Sequence, residues 1–398
     1  MRLAYRLTVT LNCKTMEATL EILTRLESKM SLLGKNLSEK KVVVGFDGFI
    51  DSIRKIVHHR DALGVHYYKS LTEFSDKVRN AAGRSGQVEI DVQRIKLGGN
   101  APILSLALGH LGAPTTCLGS TDSEIFSPLA ERCQVISLMS PGESEALEFD
   151  DGKLILSNLK AFEEYDWSYI KKKVGLERLR TVISKCDLIA MVDWANLVHA
   201  EDICDGIIND ILIPSGRRNY MIFFDLCDPS RKSAGEIDDI LDVISRFSYC
   251  GNVTLGLNEN ELLTIWSALS GRTDRVSVEE AGKFLHGALN IDCLLIHLVD
   301  HSVVFHQREV FDLKGRLVTD PKIQTGGGDN LNAGFILGML NGFSITEAVT
   351  LGMAASGWYV QEGKSAGLAD LQEYIRVWKQ ELISAMAQQS VKEITTAN

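Results

Sequence analysis

The stretch "QTGGGDNLNAGF", residues 324–335, places three successive glycines and an aspartate in front of an apolar run. Glycine loses more backbone entropy on folding than any other residue, so three in a row indicate that another group approaches this backbone closely. The residues that follow, 332–340, have the composition of a buried helix. The glycines are therefore predicted to form a loop at a helix N-terminus, where free N–H groups and the helix dipole favour a phosphoryl group.

Asp329 follows the three glycines and is the candidate catalytic residue of this stretch. A carboxylate repels a neighbouring phosphoryl group, which is unfavourable if the loop only binds phosphate. The carboxylate is useful if it takes a proton from a hydroxyl group that attacks the phosphorus atom, and the helix N-terminus should favour its ionised form. The alternative is a glycine-rich loop with an ordinary helix-start aspartate. No Gly-Lys-Ser/Thr follows, so the stretch is not a Walker loop.

The composition is typical of a soluble globular protein. The 398 residues are 45% hydrophobic and 24% charged, which suits one large α/β domain or two medium ones. A net charge of −10 argues against nucleic acid or an anionic membrane as the main partner, since both need a basic surface. No apolar run reaches the roughly 18 residues of a membrane span, and the first residues lack the pattern of a secretory signal.

Cysteine and histidine spacing gives no sign of a disulfide framework or a metal site. The eight cysteines are scattered without a Cys-x-x-Cys pair, which predicts reduced thiols in a cytoplasmic protein. The nine histidines lack metal-site spacing, and the doublet His58-His59 is predicted to point its side chains apart. We therefore expect no structural zinc site.

Short apolar runs alternate with helical patterns from residue 41 onward. This alternation predicts a doubly wound, mainly parallel sheet with helices on both faces. The predicted strands are 41–47, 115–120, 134–139, 187–193, 220–226, 252–258 and 292–299, and the main predicted helices are 101–111, 200–213, 234–247, 259–269, 278–289, 330–341, 344–361 and 370–387. Apolar residues at helical spacing within 16–34 predict an amphipathic helix. We therefore expect an N-terminal helical extension over 1–40 and the main domain over 41–390.

Two segments interrupt the alternation. Residues 54–97 form a charged insertion with strand-like patterns, and residues 145–157 read as a hairpin that turns at Asp150-Asp151-Gly152. Ligands of open α/β sheets bind outside the carboxyl ends of the strands. The two segments are therefore predicted to pair as a small β lid over that edge.

Three motifs resemble those of the ribokinase-like (PfkB) carbohydrate kinase family and follow the family's order. Residues 324–335 are similar to its C-terminal motif, Asp-Thr-x-Gly-Ala-Gly-Asp-x-Phe-x-Ala-Gly, with Gly327 in place of alanine. Residues 96–122 resemble the N-terminal motif, in which a Gly-Gly pair enters an apolar helix. Asn258 and Glu261 resemble the family's Asn-x-x-Glu. The resemblance covers roughly residues 41–375 and implies a ribokinase-like fold with a small β lid.

The resemblance implies roles for residues at the phosphate end of the site. Asp329 would be the catalytic base, and an anion hole would form from Gly326, Gly327 and Gly328. The residues implied to bind nucleotide are Asn258, Glu261, Thr325 and Asn332, with Glu261 organising Mg²⁺ through water. Taken without the resemblance, Asn258 followed three residues later by Glu261 is better interpreted as a helix capping box; its place after a buried strand and upstream of the glycine loop favours the functional interpretation.

The acceptor end is expected at the first strand and the Gly-Gly turn. In "VVVGFDGFIDSI", residues 42–53, we expect Asp51 to bind sugar hydroxyls, with Asp47 as the second candidate, because carboxylates accept paired hydroxyl hydrogen bonds. An aspartate that caps a loop at a strand end is the alternative for both. The turn residues expected to approach the same sugar are Gly98, Gly99 and Asn100.

The expected function is Mg²⁺-dependent phosphoryl transfer from ATP to a hydroxyl group of a sugar or related polyol. A nucleoside kinase and a catalytically inactive sugar or nucleotide sensor are the alternatives. A binder gains nothing from a repelling carboxylate, so Asp329 argues against the sensor. The resemblance leaves open a monovalent cation, a homodimer and the identity of the acceptor.

Overall fold

The computed structural model describes the backbone of residues 2–323 and 325–397, and the side chains of 15–30, 33, 37–323 and 325–388. The strands in this part of the chain are β1 (Val42–Gly45), β2 (Phe49–Asp61), β3 (Gly64–Tyr67), β4 (Glu89–Gly98), β5 (Thr115–Gly119), β6 (Gln134–Ser137), β7 (Gly142–Phe149), β8 (Gly152–Asn158), β9 (Leu188–Val192), β10 (Tyr220–Asp225), β11 (Gly251–Asn258), β12 (Cys293–His297), β13 (His301–His306) and β14 (Glu309–Lys314).

The helices surround these strands and follow the apolar periodicity of the sequence. They are α1 (Arg2–Leu37), α2 (Leu71–Arg79), α3 (Asn100–His110), α4 (Ser127–Ala130), α5 (Trp167–Val174), α6 (Leu176–Ile183), α7 (Ala200–Ile207), α8 (Ile213–Ser215), α9 (Ala234–Arg246), α10 (Glu259–Ser270), α11 (Val278–Ala288), α12 (Gly327–Leu340), α13 (Ile345–Glu362) and α14 (Leu368–Ala397). None of the described helices is both long and apolar enough to cross a bilayer.

Nine strands form the main sheet, in the order β14-β13-β12-β11-β10-β9-β1-β5-β6. All seven predicted strands lie in it, and the pairs from β6 through to β12 are parallel. The sequence did not predict the antiparallel pairs that β13 makes with β12 and β14. The β13–β14 pair was missed because β14, at the edge, is mostly exposed and carries no run of buried apolar residues.

Helices cover both faces of the main sheet. Alternate residues of β1 point to opposite sides, so Val43 joins a core under α5 to α7 and α9 to α11, whereas Val42 and Val44 join a core under α1, α3 and α12 to α14. The N-terminal helix α1 belongs to the second core. Its Lys29 donates a 2.6 Å hydrogen bond to Glu347, which also completes a capping box at the start of α13.

A second sheet of five strands stands beside the main one. Its order is β3-β2-β7-β8, and β4 also pairs with β2, along the edge opposite β7. The parallel pairing of β2 with β7 brings the two interrupting segments together in one sheet, as the sequence predicted. The β7–β8 hairpin also turns at Asp150-Asp151 as predicted.

Candidate active site

The glycine loop leads directly into α12. Gly326 is the N-cap residue, at φ 97°, and no described side chain caps this helix end. A Cβ at Gly326 would lie 2.7 Å from the hydroxyl oxygen of Tyr359. That hydroxyl donates a 2.9 Å hydrogen bond to the carbonyl oxygen of Thr325, which holds the loop. Of the three glycines, only Gly326 has the left-handed conformation that favours glycine.

Gly327 and Gly328 form the first turn of α12 and line a cavity of about 500 Å³. A Cβ on Gly328 would be 3.4 Å from the His297 ring, and one on Gly327 would be 3.4 Å from the Ser356 hydroxyl. Neither distance is a severe clash. The backbone N–H groups of this turn are therefore accessible from the cavity because side chains are absent, as an anion site requires.

The cavity extends along the carboxyl ends of β11 and β12. It is lined by Asn258, Glu259, Asn260, the turn 297–301, residues 315–318, Pro321 and one face of α12 and α13. Val299 and Leu317 at its mouth are 93% and 59% exposed, which is unusual for apolar side chains. A cavity lined by a glycine turn and by exposed apolar residues suits a nucleotide.

Asn258 and Glu261 form a complete capping box at the start of α10. The Asn258 side chain accepts a hydrogen bond of 2.9 Å from the Glu261 N–H, and Glu261 accepts one of 2.8 Å from the Asn258 N–H. Both residues also lie near the glycine loop, at the junction of β11 and α10. Their capping role is therefore compatible with a role in the site. Burial, and then the nearby charge of Asp225, raise the pKa of Glu261 to about 8.

Asp329 lies in the first turn of α12 and is 8% exposed. Its Oδ1 atom makes no hydrogen bond to any residue that the structure describes. Burial raises the pKa of Asp329 well above its ordinary value, and the charges of Asp225, Asp47 and Glu261 raise it further, with Lys96 opposing them. Burial thus opposes the ionised form that we expected the helix N-terminus to favour.

Asn332 lies beneath the loop instead of facing the cavity. It is fully buried, and its side-chain amide donates a 2.7 Å hydrogen bond to Asp225 at the end of β10. Asp225 also accepts a 3.0 Å hydrogen bond from the N–H of Cys227. We expected Asn332 to contact the nucleotide. Its side chain instead points toward the sheet and links α12 to β10.

Asp47 follows β1 and is fully buried. Its two carboxylate oxygens each accept a 2.7 Å hydrogen bond, one from the N–H of Asn100 and one from that of Ala101. Asp47 thus caps α3. Burial raises its pKa to about 6, and a Cβ on Gly99 would lie 2.6 Å from its Oδ2. The structure shows the capping interpretation of Asp47 that the sequence left open.

Asp51 lies within β2, the strand that follows β1. Its neighbours across β4 and β7 are Lys96 and Ser144, and the Ser144 hydroxyl donates a 2.8 Å hydrogen bond to its Oδ1. A Cβ on Gly98 would come within 2.2 Å of the Asp51 carboxyl group. The lack of a side chain at Gly98 thus leaves room for the Asp51 carboxyl group. The second carboxylate oxygen of Asp51 can accept a hydrogen bond from a hydroxyl group of a ligand.

The second sheet touches the glycine loop through Lys153, whose Nζ donates a hydrogen bond to the Thr325 hydroxyl. Asp51, Lys96 and Lys153 are close enough for both lysines to lower the pKa of Asp51 against the larger effect of burial. The second sheet therefore contributes both a carboxylate and cations to the edge where Asp329 lies.

Comparison with known proteins identifies the family. The family model for prokaryotic ketohexokinases matches residues 19–378. The chain belongs to that family. It is similar to the ketohexokinase of Haloferax volcanii, with 23% identity over 340 residues that cover 84% of this chain and 90% of that protein. It is thus a sugar kinase of the ribokinase-like group, a carbohydrate phosphotransferase, as the motif resemblance implied.

Solved structures agree on the fold of this ketohexokinase-family chain. Arabidopsis thaliana ribokinase, complexed with ribose and ATP, superposes with a TM-score of 0.59 at 16% identity, over 84% of this chain and 98% of that one. A probable sugar kinase from Rhizobium etli CFN 42 gives a TM-score of 0.61 at 16% identity, over 86% and 98% of the two chains. These likenesses show the ribokinase fold.

Sequence reasoning missed the basic residues of the site. Lys96 and Lys153 lie near Asp51, and Arg94 is near enough to Tyr359 to oppose the rise in that residue's pKa. A signal was available in "DVQRIK", residues 91–96, where Arg94 and Lys96 occupy alternate positions and therefore share one face of a strand. The pairing of β4 with β2 turns that face toward the site.

Proposed function

We propose that this protein transfers the γ-phosphoryl group of ATP to a hydroxyl group of a ketohexose, with Asp329 as the general base. The observation that carries this proposal is the buried Asp329 carboxyl group, which has a free oxygen at the start of α12, beside a turn without side chains. The ketohexose is suggested by the family and by the name of the Haloferax volcanii relative.

The raised pKa of Asp329 supports its role as base. A carboxylate with an ordinary pKa is too weak a base to accept a hydroxyl proton readily, and burial strengthens it. The attacking hydroxyl would donate its proton to the free Oδ1 atom as the oxygen–phosphorus bond forms. Lys96, whose charge favours the carboxylate form, would keep a fraction of Asp329 ready to accept it.

The donor would occupy the cavity at the ends of β11 and β12. The N–H groups of Gly326, Gly327 and Gly328 would form the anion hole at the transferred phosphate, with Thr325 at its edge. Asn258 lines the same cavity and would face the phosphate tail. Hydrogen-bond donors that are held in place before the reaction stabilise the charge that develops on the phosphoryl oxygens in the transition state.

Glu261 and Asp225 fit a magnesium site. Two buried carboxyl groups with raised pKa values lie near each other, and a divalent cation with oxygen ligands would relieve that repulsion. Glu261 would act through water, because its oxygens already serve the capping box. When it is bound, Mg²⁺ would neutralise part of the negative charge of the phosphates.

Asp51 would bind the acceptor, with Ser144 orienting its carboxyl group and Lys96 beside it. Asp47 would act indirectly. It would hold the start of α3, so that Gly98 stays close to Asp51 and Gly99 stays close to Asp47. Asn100, at the first position of α3, stands at the same edge. The second sheet would then act as a lid that excludes water from the transfer.

The experiment is a panel of ketohexoses, aldohexoses, pentoses, polyols and nucleosides, each incubated with the purified protein, ATP and Mg²⁺, with ADP release as the readout. We expect the highest kcat/KM with a ketohexose, and NMR of the product identifies the phosphorylated hydroxyl. A nucleoside as the best acceptor would replace the proposal with a nucleoside kinase, and ligand binding without ADP release would indicate a sensor.

Two further points use the same protein. Replacing K⁺ by a bulky monovalent cation in the assay tests the monovalent requirement, and light scattering tests a homodimer. We propose a cytoplasmic location, which the free cysteines from Cys117 onward support within the described residues.

A further inference from the structure

The hairpin that joins β2 to β3 brings together residues that the sequence keeps apart. His59 and His66 are directly opposite each other across the hairpin, just after an irregularity in β2. Their rings are stacked, with centroids 4.4 Å apart and planes 8° from parallel. Asp61 lies two positions beyond His59, so its side chain projects from the same face of the strand.

The three side chains converge on one point. Asp61 Oδ1 is 3.0 Å from His66 Nε2, and Asp61 Oδ2 is 3.7 Å from His59 Nε2. One nitrogen or oxygen atom from each of the three residues lies within 4.8 Å of the others. His66 Nε2 is shielded from solvent, yet it makes no well-aligned hydrogen bond within the described part of the chain. Its nearest carboxylate oxygen, Asp61 Oδ1, is close but not aligned for a hydrogen bond, so an ion beside the two atoms could bind both.

The surrounding residues orient these side chains. Nδ1 of His59 is 2.7 Å from Nδ1 of His58, so the prediction that this doublet points its side chains apart is wrong beside the irregularity in β2. Nε2 of His58 is 3.8 Å from a Glu73 carboxylate oxygen. When His59 donates its Nδ1 proton to His58, the lone pair of its Nε2 faces Asp61. A metal-binding histidine typically has its second nitrogen held in this way. Asp61 is oriented too, since its Oδ1 accepts a 2.8 Å hydrogen bond from the N–H of Leu63.

We propose that His59, Asp61 and His66 bind one divalent transition-metal ion, with Zn²⁺ as the best fit. Two imidazoles and one carboxylate form a donor set that suits zinc, whereas Mg²⁺ prefers oxygen ligands alone. Bonds of about 2.0–2.2 Å to the metal need the three donor atoms to draw together slightly. The three side chains are exposed or half-buried, so they can move this far without disturbing a packed core. The fourth position belongs to water.

The expectation of no zinc site rested on sequence spacing alone. His59 and His66 are seven positions apart in the sequence, which matches no familiar metal motif, and strand pairing makes them neighbours. The ordinary alternative is an Asp61–His66 ion pair, and His66 does hold the pKa of Asp61 below its usual range. An ion pair alone leaves the parallel His59 ring and the His58 contact unexplained.

The position of the hairpin gives the site a consequence. His66 lines a cavity of about 730 Å³ that also reaches Lys153 and Thr325 at the glycine loop. A metal that cross-links β2 to β3 would stiffen the wall of this cavity. The site is separate from Glu261 and Asp225, so it is distinct from the magnesium site proposed for catalysis.

The test is isothermal titration of Zn²⁺ into the full chain in the presence of excess Mg²⁺, without nucleotide or sugar. We expect one equivalent to bind to the wild type. His59→Ala with His66→Ala, and separately Asp61→Asn, should each weaken this binding at least tenfold. The matched control is His199→Ala, which removes a histidine whose Nε2 contacts the carbonyl oxygen of Glu163, and it should leave the titration unchanged.

Hydrogen exchange gives a second readout that does not depend on catalysis. Zn²⁺ should protect amides of residues 57–67 in the wild type and not in the double variant, with circular dichroism checking that both are folded. Absence of zinc binding, or equal binding and protection in the double variant, would overturn the proposal. Either result would leave the proposal of phosphoryl transfer to a ketohexose untouched.

Discussion

Lys153 on the second sheet donates a hydrogen bond to the hydroxyl of Thr325, the residue that precedes the glycine loop. The carbonyl oxygen of the same threonine accepts the Tyr359 hydroxyl from α13. The start of the loop is therefore held from both sides. The first of these contacts comes from the second sheet, so the arrangement of that sheet and the shape of the anion site depend on each other.

Lys153→Met should reduce kcat/KM on the order of 10²-fold, as loss of one donor near a developing charge typically does. The substitution keeps the aliphatic stem and removes the amine. Steady-state kinetics with ATP and the best sugar measure the effect. Lys77→Met on the exposed helix α2 is the matched control and should retain full activity. A Lys153→Met enzyme as active as this control would show that the contact with Thr325 is not used in turnover.

Asp329→Asn should lower kcat by about 10²- to 10⁴-fold, the usual contribution of a positioned general base. Nucleotide binding should persist, because the glycine N–H groups are unchanged. Asp370→Asn, at another first-turn aspartate that accepts a hydrogen bond from a nearby N–H, is the control. More than a tenth of wild-type turnover in the Asp329 variant would rule out the assigned base.

Gly328→Val should weaken ATP binding while the fold is retained. Gly328 has an ordinary backbone conformation, and a Cβ there meets only the His297 ring at 3.4 Å. The branched side chain would instead enter the cavity proposed for the phosphates. Calorimetry measures the affinity and circular dichroism the fold. Gly271→Val, at a C-cap with φ 65° and open space around it, controls for general strain. An unchanged ATP dissociation constant would contradict the anion-hole proposal.

Asp51→Ala should raise the KM for the sugar at least tenfold, about 1.4 kcal/mol. The dissociation constant of ATP should stay within about twofold of the wild-type value, because the change is confined to the second sheet. Asp238→Ala on the exposed face of α9 is the control. Asp47→Ala should behave differently: it removes two hydrogen bonds at the start of α3 and should lower the melting temperature. A wild-type sugar KM in Asp51→Ala would move the acceptor site elsewhere.

Glu261→Gln should flatten the pH dependence of stability. The Glu261 pKa rises from the ordinary 4.5 to about 8 in the folded protein. Between these pH values the folded chain holds a proton that the unfolded chain has released, so the free energy of unfolding falls as pH rises. Glutamine keeps an oxygen for the Asn258 N–H and carries no charge. Thermal unfolding across this pH range, without divalent cations, measures the slope. Equal slopes in both proteins would contradict the raised pKa.

The sequence by itself determined where seven strands of the main sheet lie along the chain and where helix α12 begins. Seven buried strands and the glycine turn were predicted because apolar period, helix capping and glycine runs are local properties. The same reasoning found Asp329, since a carboxylate directly after the glycines is visible without any long-range information. It also found the chemical class, because three motifs in one order resemble a single kinase family.

Only the tertiary structure decided which side chains meet. Asp51 faces Lys96 and Ser144 because β2 pairs with both β4 and β7, and Lys153 reaches Thr325 across 172 residues of sequence. The raised pKa values of Asp329 and Glu261 arise mainly from burial. Strand register and burial result from the packing of distant segments, and a local pattern carries no record of which segment will lie beside it.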